Sequence, residues 1–252
     1  MGPVNGRRNK GASAMGQVVA HDAGKDVFQI GPLERMLNDP GYGVHETADH
    51  NSLLVNGQGQ SLNEEPFPWG TRPRSFGRHS NSVGKILKCG TIGRDCYLVC
   101  EAKTCYAGAL ERYQRHVILA DGDYVVVLDD VEAAASSKFT VNWHTVMDAS
   151  GAGAQALFKG REQQLNLDAV ADRPVTGAIA QARRDKAFRV DSNDPSKTWR
   201  LFTVLAPGER PTVSANFTGT SAAVTVNGRE FAFKRNDDGS YRYAGGELTP
   251  AR

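Results

Sequence analysis

The chain has 252 residues and a mass of 27.2 kDa, long enough to bury a substantial core in one large β domain or two smaller ones. Its 30 Lys and Arg stand against 28 Asp and Glu, and a formal charge of +2 gives no global basis for binding nucleic acid or an anionic membrane. No apolar run reaches the roughly 18 residues of a transmembrane helix, and the basic N-terminus lacks the apolar segment of a secretory signal.

In chain order, residues 1–16 read as a flexible lead-in and 17–252 as one β domain, with a soft join in the Ala- and Gly-rich stretch 149–160. Short apolar or alternating runs predict strands at Val27–Ile30, Ser52–Val55, Cys96–Cys100, His116–Leu119 and Tyr124–Leu128. The same pattern continues at Phe139–Trp143, Ala187–Val190, Trp199–Leu205, Ala222–Val226 and Glu230–Lys234. Pro32–Leu37 and Gly108–Tyr113 are the only expected helices, both short. Asn56-Gly57, Asp121-Gly122, Asn227-Gly228 and Asp238-Gly239 predict tight turns, because Asn, Asp and Gly tolerate positive φ. Regular strands without βα alternation predict an all-β fold: a large antiparallel β-sandwich of two packed sheets with few short helices. Residues 61–85 read as a long, polar, Pro-rich loop, a kind of segment that often carries function.

Cys89, Cys96, Cys100 and Cys105 follow a C-x6-C-x3-C-x4-C spacing without the C-x2-C knuckles of a zinc site. They read best as buried free thiols, with disulfides to neighbouring strands as the alternative. No phosphate-binding loop, dinucleotide fingerprint or G-x-S-x-G elbow is present, which removes the usual support for an ATPase, dehydrogenase or α/β-hydrolase.

Asp49-His50 stands directly before the apolar run Ser52–Val55, where the backbone at a strand mouth would hold an imidazole in place. His21, Asp39 and His50 together supply the two imidazoles and one carboxylate that suit zinc; the alternative is that His50 and Asp39 merely cap a turn or a strand end. His45 is a rival ligand in a Gly-rich loop and reads as solvent-facing. Trp143-His144 closes an apolar strand, so His144 is a candidate for a cleft between sheets or for a hydrogen-bonded rim. Alternation places Arg115 and His116 on opposite faces, the first as an anion contact and the second as structural. Asp129-Asp130 likewise point to opposite sides and make a poor acid/base pair. Asn216-Phe217-Thr218 fits a glycosylation pattern too short to decide anything.

Four segments carry a family resemblance: HDAGKDVFQI (21–30), NDPGYG (38–43), HNSLLVNGQGQ (50–60) and RHVILADGDYVVVLDDVEA…FTVNWHT (115–145). In that order they resemble the C-terminal β-sandwich part of heparinase II/III-like polysaccharide lyases. The resemblance implies β-elimination on uronic-acid-containing acidic polysaccharides such as heparin, heparan or alginate, and a periplasmic or extracellular location. It implies a structural zinc held by Asp39 and His50, with His21 the nearest third ligand. Gln17 stands near where a proton-abstracting His would fall, and His144 is the other catalytic candidate. Arg72, Arg74, Arg78 and Arg115 become candidate carboxylate or sulfate contacts, and Trp69 and Phe76 candidate sugar-stacking groups. Family members carry an α/α-toroid domain before the sandwich, and nothing in this sequence reads as one. A separate toroid domain or chain is therefore an expected partner, and a non-catalytic carbohydrate-binding or structural sandwich is the alternative reading.

Overall fold

The computed structural model describes residues 29–30, 34–38, 47–60, 84–106 and 108–250. Among these lie nineteen strands: β1 (Gln29–Ile30), β2 (Glu34–Arg35), β3 (Leu53–Val55), β4 (Lys85–Ile92), β5 (Asp95–Glu101), β6 (Leu110–Ala120), β7 (Tyr124–Ser137) and β8 (Phe139–Thr145) come first. They are followed by β9 (Asp148–Gly153), β10 (Gln155–Lys159), β11 (Gln164–Ala171), β12 (Val175–Gln181), β13 (Lys186–Ser192) and β14 (Ser196–Pro207). The last five are β15 (Val213–Phe217), β16 (Ser221–Val226), β17 (Arg229–Arg235), β18 (Tyr241–Tyr243) and β19 (Thr249–Pro250). Among the described residues, helical turns are confined to two short 3-10 segments, Thr47–Asp49 and Lys103–Tyr106.

Thirteen strands form one antiparallel sheet in the order β19-β4-β5-β6-β7-β14-β11-β10-β9-β12-β13-β8-β3. That sheet curls over to face itself. Phe139 of β8 stacks on Trp199 of β14 with centroids 5.6 Å apart, and Arg115 of β6 lies 5.2 Å over the ring of Trp143 of β8. These strands are distant in the sheet order, so only a curled sheet brings them together. Between the halves lies a core that includes Val127, Leu201, Trp143, Phe158, Phe188 and Trp199. Burying a side chain of this size stabilises by about 1.5–3 kcal/mol, and a stacked aromatic pair adds about 0.5–1.5 kcal/mol.

The outer face of the β5-β6-β7-β14 half is covered in turn by a four-stranded sheet, β15-β16-β17-β18. Val126, Leu128 and Phe202 pack there against Val224, Phe231 and Phe233. The middle layer is thus buried on both faces, which is why Tyr124–Leu128 reads as an unbroken apolar run rather than an alternating one. The all-β antiparallel sandwich expected from sequence is the fold found, with the larger of its two sheets doubled over.

Turn chemistry sets the register. Asp121 and Gly122 adopt φ of 50° and 87°, and Asn227 and Gly228 adopt 49° and 81°, the left-handed pairs of tight hairpins. Both expected helices fail. Glu34–Arg35, inside the helix expected at Pro32–Leu37, is extended and pairs with Gln29–Ile30. Of residues 108–113, expected as a helix, the last four begin β6, because pairing with β7 overrides the helix preference of Ala, Leu, Glu and Arg. The stretch 149–160 forms most of the β9–β10 hairpin inside the large sheet. All four cysteines are free: Cys100 and Cys105 are buried as expected, but Cys89 and Cys96, on a hairpin toward the sheet's edge, are exposed. Burial pushes the Cys100 thiol up to about 12 and the Cys105 thiol up to about 11, which makes both poor nucleophiles.

Candidate functional site

The segment around His50 is built from backbone that the rest of the molecule holds at almost every residue. Thr47–Asp49 form a single 3-10 turn, and the His50 amide donates to the Thr47 carbonyl at 3.2 Å. Leu53–Val55 then pair with β8, Leu53 opposite Val141, and the chain reverses at Asn56 (φ 52°) and Gly57 (φ 74°). Gly59 follows because a Cβ there would lie 2.6 Å from Thr47 Cβ. Gln60 closes the loop: its amide donates to Thr47 Oγ1 at 2.8 Å, and its Nε2 reaches Ser52 Oγ and the Tyr106 hydroxyl, each at 3.3 Å. Tyr106 donates to the Leu53 carbonyl at 2.7 Å.

Asn51 is the hub. Its Oδ1 accepts from the His144 amide at 2.6 Å, its Nδ2 donates to the Asn38 carbonyl at 3.1 Å, and its own carbonyl accepts from Arg115 Nη1 at 2.6 Å. The bond to Asn38 stitches the chain immediately before Asp39 to the chain immediately after His50. Asn38 in turn donates from its amide to the His144 carbonyl at 2.8 Å and from Nδ2 to Asp185 Oδ2 at 2.7 Å.

His144 is wholly buried, with Nδ1 2.9 Å from Asp185 Oδ1 and Nε2 3.0 Å from the Ala48 carbonyl. Both ring nitrogens face protein acceptors, so in this arrangement the imidazole ties β8 to the 3-10 turn and to the start of β13. Arg115, expected to meet an external anion, meets an internal one. Its Nε and Nη2 grip Asp129 Oδ1 and Oδ2 at 2.7 and 3.0 Å, a bidentate pair in which Asp129 has no exposed surface. Burial pulls the guanidinium's pKa down, but Asp129 and then Tyr113 outweigh it, and the net direction is upward. Burial raises both Tyr106 and Tyr113, so neither hydroxyl is poised to ionise.

His50 itself is buried, with 1% of its surface exposed. Beside it Asp49 is also buried, its Oδ1 3.5 Å from the Arg183 amide and its Oδ2 without a hydrogen-bond partner among the described residues. Among the described residues no three His, Cys, Asp or Glu converge as a metal would need. Of the expected zinc ligands only His50 is among them; His21 and Asp39 lie outside the described residues, as do Gln17, His45, Trp69, Arg72, Arg74, Phe76 and Arg78. The structure thus joins Arg115 and His144 through Asn51, the residue that follows His50. Sequence reading missed Asn38, Asn51, Asp129 and Asp185, which do the connecting. Counting outward from Asp121-Gly122 as a two-residue turn would set Arg115 opposite Leu128; the turn takes in Asp123 as well, which sets Ala120 opposite Tyr124 and Arg115 opposite Asp129.

On the other face of the same hairpin, His116 is structural as expected. Its Nδ1 lies 2.8 Å from the Tyr97 hydroxyl, and its ring packs edge-on against Phe233 of the small sheet at 5.3 Å. Burial, and then Lys88, lower its pKa to about 3, so it is neutral at ordinary pH.

The family model for the C-terminal domain of heparinase II/III-like proteins matches residues 41–245. The chain belongs to the heparinase II/III-like family. Comparison with curated protein sequences finds no match. Among solved structures, the heparinase II/III-like domain superposes on heparinase III with a TM-score of 0.54 at 16% identity, covering 75% of this chain and 29% of that one. It superposes on heparan sulfate lyase HepC from Pedobacter heparinus with a TM-score of 0.55 at 15% identity, covering 86% of this chain and 34% of that one. At such identities the likeness is one of fold, and the chain spans about a third of the length of either lyase.

Proposed function

We propose that this chain is the sandwich part of a polysaccharide lyase that cleaves uronic-acid-containing polysaccharides, heparin- or heparan-like or alginate-like, by β-elimination. The observation that carries the reading is the site itself. The segment 50–60, which resembles a motif of the family, is the one the molecule pins from β6, β8 and the backbone at Asn38. Elimination abstracts a proton α to a carboxylate, and the negative charge that accumulates needs neutralising groups around the uronate. Among the described residues, Arg115 and His144 have their polar atoms engaged inside the protein. The groups that touch the glycan are therefore assigned to Gln17, Arg72, Arg74, Arg78 and Trp69 and to a helical toroid domain, which family members place before the sandwich. The one-third coverage of the heparan sulfate lyases supports such a partner. A zinc held by His21, Asp39 and His50 would brace the edge of the cleft, a structural role in which imidazole and carboxylate donors suit the ion. Export to the periplasm or outside the cell follows from the same family reading.

The test is release of unsaturated uronate, read by ultraviolet absorbance, from heparan sulfate and from alginate, by this protein alone and mixed with a toroid domain. Product from either arm supports the assignment. Saturable glycan binding without product in both arms would replace it with the second reading, a carbohydrate-binding sandwich, which the internal engagement of Arg115 and His144 favours. Elemental analysis of the purified protein decides the metal: stoichiometric zinc supports it, and none removes it.

A further inference from the structure

We infer that Arg115 is a positioning residue for His50: it acts through the Asn51 carbonyl, with Asp129 as its anchor, and does not touch substrate. The inference rests on the reading of the His50 segment as the working edge of the domain. Three observations converge on it. The guanidinium's five N–H donors form a rigid fork, and here three of its hydrogen bonds are made in two directions. Two go to Asp129 in the middle layer, and the third, at 2.6 Å, goes to the carbonyl of the residue next to His50. The fork is covered by Trp143 of the curled-over half at 5.2 Å and is buried, so the charge is removed from water and cannot swing out. Finally, the residue it holds is the hub: Asn51 also binds the His144 amide and the Asn38 carbonyl, so fixing one peptide fixes both chain segments that flank the Asp39 and His50 positions.

The molecule supplies its own control. Arg112 lies on the same two strands, makes the same bidentate grip on Asp130 at 2.6 and 3.3 Å, and adds Glu132 at 2.6 Å. It points to the opposite face, beside Gly239 at the β17–β18 turn. A merely structural arginine on this hairpin should behave as Arg112 does.

The experiment compares Arg115→Lys with Arg112→Lys in the whole chain at a temperature where both are folded. A single ammonium keeps the charge but cannot reach both Asp129 oxygens and the Asn51 carbonyl at once. Expected for Arg115→Lys is a shift of the His50 ring signals in nitrogen–proton correlation spectra. Exchange of the His50, Ser52 and His144 amides should be faster by about tenfold or more, the effect of losing one charge-assisted hydrogen bond. Amides of β16 should be unmoved. Arg112→Lys should leave the His50 ring signals in place. If the Arg115 variant fails to fold, the double variant Arg115→Gln with Asp129→Asn removes the buried charges together and reads the same signals. Unchanged His50 ring signals, or equal changes in both arginine variants, would overturn the inference. The absorbance assay on wild type separates the two readings: without product, positioning stands or falls on the spectra while the lyase reading fails by itself.

Discussion

The two faces of the β6–β7 hairpin carry the same chemistry to different ends. Arg115–Asp129 and Arg112–Asp130 are bidentate pairs on the same two strands, facing opposite sides as strand alternation requires. The Arg115 pair is closed over by Trp143 and reaches out to a single backbone carbonyl, so its third hydrogen bond fixes a piece of site. The Arg112 pair lies nearer solvent and works with other rim arginines that latch the small sheet. Arg200 donates to the Tyr241 hydroxyl at 2.7 Å and Arg229 grips Asp95 at 2.6 and 2.7 Å. Depth and the third partner, not the ion pair, separate a positioning device from a latch.

The largest test of that contrast is to remove each acid. Asp129→Ala leaves a buried, uncompensated guanidinium and should cost about 3–5 kcal/mol in chemical denaturation. Asp130→Ala should cost about 1–2 kcal/mol, because Arg112 keeps Glu132 and is partly hydrated. Equal losses would erase the distinction.

Acid should attack the small-sheet face first. The folded-state pKa of His116 is depressed to about 3, so as pH falls the unfolded chain takes up the proton before the folded one. Stability is intact above about pH 6.5 and should fall by a few kcal/mol on the way to about pH 3. His116→Phe should flatten that part of the stability–pH curve; an unchanged slope would show that other groups dominate.

A smaller effect belongs to the site face. Gly59→Ala drives a methyl against Thr47 and should cost about 1–3 kcal/mol by overpacking. Its amide exchange changes should be confined to residues 47–60. Smallest of all, Asp148→Ala breaks an exposed pair with Lys186 and should change stability by at most about 0.5 kcal/mol.

Much of this arrangement was legible in the sequence. Asn-Gly and Asp-Gly turns announced the hairpins because their positive φ is cheap only for such residues. The pairing of Arg115 with Asp129 was not legible there, because counting from Asp121-Gly122 is one residue off: the turn takes in Asp123 as well. The His50 segment stood out because a polar pair before a short apolar run and a tight turn is a constrained arrangement. What alternation could not say is who sits above each face. That Trp143 covers Arg115 depends on the large sheet curling over. That His116 meets Phe233 depends on the small sheet docking from more than a hundred residues away. The helices expected at Pro32–Leu37 and Gly108–Tyr113 failed for a related reason: local propensity was outweighed by strand partners that local sequence does not reveal. The exposure of Cys89 and Cys96 followed from their place near a sheet edge, which the apolar character of their strand concealed.

The most direct measurement is the release of unsaturated uronate from heparan sulfate, in the presence of a toroid domain, by wild type, Arg115→Lys and Arg112→Lys at a temperature where all three are folded. Product is expected from wild type and Arg112→Lys, with a loss of about tenfold or more for Arg115→Lys. No product from wild type, or equal losses in the two variants, would contradict that expectation.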